Sequence, residues 1–85
     1  MTYRVDVRPE PQKFLRKLRD EELAARLVAA MRALASNPRP TGCKKLKGND
    51  LWRIRVSDYR ILYQIHDRVL VVLVVSIGHR SDVYR

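Results

Sequence analysis

Polar and apolar residues alternate at the start of the chain: Tyr3, Val5 and Val7 fall on one side, Arg4, Asp6 and Arg8 on the other. A period of two predicts a half-buried strand over residues 3–8. Pro9 and Pro11 end it, because proline cannot donate to a ladder. The period then lengthens. Phe14, Leu15 and Leu18 make the apolar stripe of a helix over about residues 11–19. Leu23, Leu27, Ala30, Met31 and Leu34 make the stripe of a second helix, one side of which faces a core. Asp20 is placed to cap that second helix, with Glu21 and Glu22 against the positive end of its dipole. Asn37-Pro38 and Pro40-Thr41-Gly42 stop it, so the two helices read as an antiparallel hairpin.

After a basic loop over residues 43–49, three strands are predicted. Residues 51–57 place Trp52, Ile54 and Val56 on one face and Arg53 and Arg55 on the other. Ser57-Asp58-Tyr59 turns the chain into residues 60–66, where Ile61, Tyr63 and Ile65 share a face. Asp67-Arg68 turns it again into residues 69–77, apolar on both faces and therefore central in the sheet, with the helices over one face. The order β-α-α-β-β-β defines an α+β fold with a mostly antiparallel sheet of four strands. No repeat, linker or low-complexity segment interrupts it, so residues 1–85 form one domain.

Charge changes the picture most. The formal net charge is +9, which attracts polyanions and releases their counterions on binding; nucleic acid or an acidic protein would both respond to that field. The three glutamates are Glu10, Glu21 and Glu22, so the second half has no glutamate for acid–base work. Cys43 is the one cysteine, which excludes an internal disulfide and a cysteine-rich zinc site and fits a reducing cytosol. The N-terminus lacks the apolar run of a secretory signal, and the apolar run over residues 69–75 is too short to span a bilayer as a helix.

The candidate chemistry lies in the basic residues of the second half. Arg53 and Arg55 are either a solvated sheet face or a phosphate-handling pair, since guanidinium binds phosphate bidentately and keeps its charge. Lys44, Lys45 and Lys47 supply a basic loop suited to RNA. Residues 78–85 carry Gly78, His79, Arg80 and Tyr84 at the end of the last strand. His79 is either structural or a general acid or base, expected to leave the sheet into solvent; His66, beside a turn, is expected at the surface. Tyr84 either packs at the C-terminus or stacks on an unpaired base. Tyr63 is in phase with the core, and Tyr59 falls in the hairpin turn.

Several motifs together resemble the RelE/ParE superfamily of bacterial type II toxins, nearer to the RelE branch. They are Tyr3-Arg4-Val5, Lys13-Phe14-Leu15-Arg16-Lys17-Leu18, Lys45-Leu46-Lys47-Gly48, the run from Trp52 to Tyr63, and Gly78-His79-Arg80-Ser81-Asp82-Val83-Tyr84. The resemblance implies a cytoplasmic, ribosome-dependent, metal-free mRNA endoribonuclease in which a ribose 2′-hydroxyl attacks the adjacent phosphate. It implies no cofactor, ribosome and mRNA as targets, and an acidic, partly disordered RelB-like antitoxin through which operator DNA is bound indirectly. Members of the superfamily also include gyrase poisons, so a gyrase inhibitor without catalytic activity and an inactive basic RNA-binding relative are the alternative expectations. By position, Arg53 and Arg55 match basic residues of the second strand, Arg60 a transition-state-stabilising arginine, Arg80 a basic residue after the last strand, and Tyr84 a substrate-orienting tyrosine. Some members carry lysines where Arg53 and Arg55 stand, or a glutamate base. Arginine cannot serve as a base at neutral pH, so the expectation is that His79 carries the proton while Arg53, Arg55, Arg60 and Arg80 supply the electrostatics.

Overall fold

A computed structural model describes residues 2–79. The sheet is mixed and has five strands in the order β1-β5-β4-β3-β2, with two helices between the first strand and the rest. β1 (Arg4–Val7) runs parallel to β5 (Val71–His79), which also pairs antiparallel with β4 (Tyr59–His66). β4 pairs with β3 (Trp52–Val56), and β3 with β2 (Lys44–Lys45). The α+β class and the element order are as the sequence predicts; the fifth strand, β2, forms inside the loop expected over residues 43–49.

α1 (Pro9–Lys17) begins two residues earlier than the hydrophobic stripe indicates, because Pro9 at its first position is preorganised for a helix. α2 (Glu21–Ala33) starts at Asp20, whose carboxylate accepts from the Leu23 backbone N–H at 3.0 Å. That cap satisfies one of the orphan donors of the first turn, a contribution of about 1 kcal/mol.

The core lies between the helices and one face of the sheet. Leu27, Met31 and Leu34 from the helical side meet Ile54, Val56, Ile61, Tyr63, Val72, Val74 and Ile77 from the strands. Tyr63 is fully buried and donates its hydroxyl to the Pro38 carbonyl at 2.8 Å. Burial raises the pKa of that hydroxyl well above the usual tyrosine value, helped by the Cys43 thiol beside it.

The pairing of β4 with β5 contains a bulge. Tyr63 lies opposite Val74, but Leu62 lies opposite Ser76, so Val75 is the extra residue. Ile77 is three positions after Val74, an odd step, yet both are buried in the same core. The bulge thus resets which side faces the helices: Ile77 and His79 take the core side, Ser76 and Gly78 the other.

Candidate functional site: the cationic sheet face

The helices leave the second sheet face without helical cover, and the register decides what it displays. Trp52, Ile54 and Val56 belong to the core side, so Arg53 and Arg55 project from the opposite one. Two rows cross this face. One runs Lys44, Arg53, Leu62, Ser76; the next runs Arg55, Arg60, Gly78. Leu62 is only 7% exposed although it stands outside the helix-side core. Arg53 is likewise 7% exposed, Arg60 is half-buried and Arg55 is exposed. Residues directly opposite in antiparallel strands bring their Cβ atoms to about 4.5–5.5 Å. Arg55 and Arg60 therefore form one compact doubly positive site, with Lys44 and Arg53 in the adjacent row.

A small cavity of about 40 Å³ lies at the head of this site, lined by Arg55, Ser57, Asp58, Tyr59 and Arg60. Among the described residues no helix covers the rest of the site, and its exposed members are Lys44 and Arg55. The largest described cavity, about 610 Å³, lies elsewhere, between β1 and the helices, lined by Val5, Val7, Leu15, Val28 and Met31 among others. It is mainly apolar and brings none of the candidate residues together.

The candidates from the sequence separate into groups. Lys44, Arg53, Arg55 and Arg60 share the open face. Lys45 lies opposite Trp52 and so takes the helix side of the sheet. Lys47 is exposed in the turn between β2 and β3. His79 does not leave the sheet: it is the last residue of β5, paired with Tyr59. Its ring meets the Tyr59 ring edge-on at 5.5 Å, and Tyr59 in turn meets Phe14 edge-on at 5.7 Å. Tyr59 is thus the first residue of β4 and part of the apolar packing against α1, rather than a turn residue. The register places His79 on the face opposite Arg53, Arg55 and Arg60, which does not bring it within reach of them. Arg80 and Tyr84 lie outside the described residues. His66 is exposed at the end of β4, as expected.

A polar cluster at the other end of the sheet has no signature in the sequence. Asp67 accepts from the Tyr3 hydroxyl at 2.5 Å and pairs with the Arg39 guanidinium at 2.9 Å, while Arg39 lies 5.0 Å over the Trp52 ring. Hydrogen bonding from Arg39, then from Tyr3, holds the Asp67 carboxyl below its ordinary pKa. Its members come from four segments of the chain, so no local pattern announces it. The described residues contain no group of histidine, cysteine and carboxylate side chains able to hold a metal.

A domain of two helices and a mixed five-stranded sheet is an α+β fold that matches the RelE structures. The archaeal RelE of the Pyrococcus horikoshii RelE–RelB complex superposes with a TM-score of 0.85 at 28% identity, over 96% of this chain and 99% of that one. The chain belongs to the ParE toxin family of type II toxin–antitoxin systems, whose family model matches residues 5–84, and thus to the RelE/ParE superfamily. Among curated relatives, a putative RelE-like toxin protein of Escherichia coli is 32% identical over 99% of this chain and 92% of its own length. Toxin RelG of Mycobacterium tuberculosis is 32% identical over 100% of this chain and 99% of its own.

Proposed function

We propose that this toxin is a metal-independent endoribonuclease that cuts messenger RNA on the ribosome and so arrests translation. The observation that carries this reading is the cross-strand pair Arg55–Arg60 on an open sheet face, with Arg53 and Lys44 in the next row. In the reaction a ribose 2′-oxygen forms a bond to the adjacent phosphorus while the bond from phosphorus to the 5′-oxygen breaks. The products are a 2′,3′-cyclic phosphate and a 5′-hydroxyl. Charge accumulates on the non-bridging oxygens at the transition state, where fixed guanidinium groups bind more strongly than in the ground state. Arg55 and Arg60 fill that role, with Arg53 adding its field from beneath. Arg80 and Tyr84 are proposed to complete the substrate contact from the C-terminal segment.

The proton of the 2′-hydroxyl needs a separate carrier, because arginine does not release its own proton at neutral pH. Among the described members of the two cationic rows the one side chain able to exchange a proton is Lys44, and Asp58 lines the small cavity beside Arg55 and Arg60. Catalysis here rests mainly on electrostatics and positioning, and His79 acts in packing.

The structures of RelE with RelB support an antitoxin as partner for this chain as well. A +9 protein is matched by an acidic segment that folds on binding, and operator DNA would be reached through that partner. No helix among the described residues is long and apolar enough to cross a membrane. Cytoplasmic action follows from the proposed target.

The family model itself is that of ParE, which favours a second reading: inhibition of DNA gyrase without catalysis. Induced expression distinguishes the two. Translation arrest with new message 5′ ends supports the nuclease; a DNA-damage response with intact messages supports the gyrase inhibitor.

A further inference from the structure

Lys44 is the exposed cation of the two rows that cleavage at a single phosphate does not require. Like charges placed directly opposite across strands are destabilising, and here two such pairs occur in successive same-face rows: Lys44 with Arg53, and Arg55 with Arg60. Two residues along a strand advance it by about 6.7 Å. Doubled positive charge repeated at that step matches the backbone of an extended single strand, in which phosphates recur at comparable intervals. An acidic helix would present its charges with a different period.

Lys44 and Lys45 divide this reading sharply, since they are neighbours of equal charge on opposite faces. Lys44 is exposed and lies beside Arg53; Lys45 lies beside Trp52 on the helix side. Arg53, only 7% exposed, supplies field more than contact, which leaves Lys44 as the group that touches the ligand in this row.

We infer that Lys44 forms a second phosphate subsite, holding the phosphate next to the one held by Arg55 and Arg60, so that single-stranded RNA lies along β3. The inference rests on the endoribonuclease reading of the same face. It makes Lys44 a positioning residue for substrate and gives the lysine loop an asymmetric role.

The test uses a short fluorescein-labelled oligouridylate with 2′-deoxy sugars, which can bind but not be cleaved, titrated by anisotropy over a range of salt concentrations. Each phosphate of a single strand that a cation neutralises adds about 0.7 to the slope of log affinity against log salt. Lys44→Gln should lower the slope by about that amount, and Lys45→Gln should leave it at the unsubstituted value. Equal slopes for the two variants overturn the subsite. The double variant Arg55→Gln/Arg60→Gln separates the levels of failure. If it lowers the slope while Lys44→Gln does not, only the second subsite falls; if it leaves the slope unchanged, the endoribonuclease site falls with it. Poly-L-glutamate is the competing ligand. Binding of that polymer with the same dependence on Lys44 over Lys45 would assign the face to an acidic protein and overturn the RNA subsite.

Discussion

His79 is the residue for which packing and chemistry predict most different outcomes. Its ring meets Tyr59 edge-on at 5.5 Å on the core side of β5, and Tyr59 meets Phe14 at 5.7 Å. An edge-to-face pair contributes about 0.5–1.5 kcal/mol beyond burial. In a domain of 85 residues, a loss of 1 kcal/mol lowers Tm by about 4–8 °C. His79→Ala should therefore melt several degrees lower while cleaving message on programmed ribosomes at a rate close to the unsubstituted one, measured well below its Tm. His79→Phe keeps an aromatic edge at the same place and should recover most of the drop in Tm. A general base, by contrast, is typically worth 10²–10⁴-fold in rate, or about 3–5 kcal/mol of barrier. The two effects differ enough in size for one pair of variants to decide between them. The assay is single-turnover cleavage of message on programmed ribosomes, with thermal unfolding by circular dichroism alongside. A His79→Phe protein of normal Tm whose cleavage rate falls a hundredfold or more would refute the packing role and return the proton to this histidine.

Other outcomes follow from single interactions. Tyr63→Phe removes the hydroxyl that satisfies the Pro38 carbonyl and should cost about 1–3 kcal/mol in denaturant unfolding, with message cleavage unchanged. Asp67 titrates below its ordinary pKa of 3.8 in the folded state, so the stability it contributes is complete above that value and is lost as pH falls through the folded-state pKa. Asp67→Asn should accordingly flatten the acid limb of a stability–pH curve by lowering its neutral plateau while leaving the acid end nearly unchanged; an unchanged acid limb would count against the cluster of Tyr3, Arg39 and Asp67. Ser57 holds a φ of 56° in the turn between β3 and β4, a region glycine adopts without strain. Ser57→Gly should hold or raise stability by up to about 1 kcal/mol, and a clear loss would mean that the serine side chain has a role of its own.

Much of this fold is legible in the sequence, and the exceptions have physical causes. The alternation around Tyr3–Val7 and Trp52–Val56, the Asp20 cap and the two proline-marked stops all act locally, so pattern reading finds them. β2 is two residues long and exists only through pairing with Arg53 and Trp52, a long-range cause that its own residues do not show. The bulge at Val75 hides within an unbroken apolar run, where either face could be the buried one. That single hidden residue decides the side to which His79 belongs, and Gly78, which the pattern alone places at the strand's end, sits within it. Arg53, Arg55 and Arg60 are recoverable because strand parity from Trp52 and Ile61 fixes their face. Parity also divides Lys44 from Lys45, but only once β2 is known to be a strand.

The central claim is that guanidinium groups on the open sheet face stabilise the transition state of message cleavage. Single-turnover cleavage on programmed ribosomes by Arg55→Ala and Arg60→Ala, each confirmed as folded, tests it most directly. Loss of one preorganised electrostatic partner of this kind typically costs about 10²–10³-fold in rate, and each variant should show a drop of that order with the cut sites unmoved. Cleavage by both variants at the unsubstituted rate, or the absence of any cleavage by the unsubstituted protein, would contradict the account.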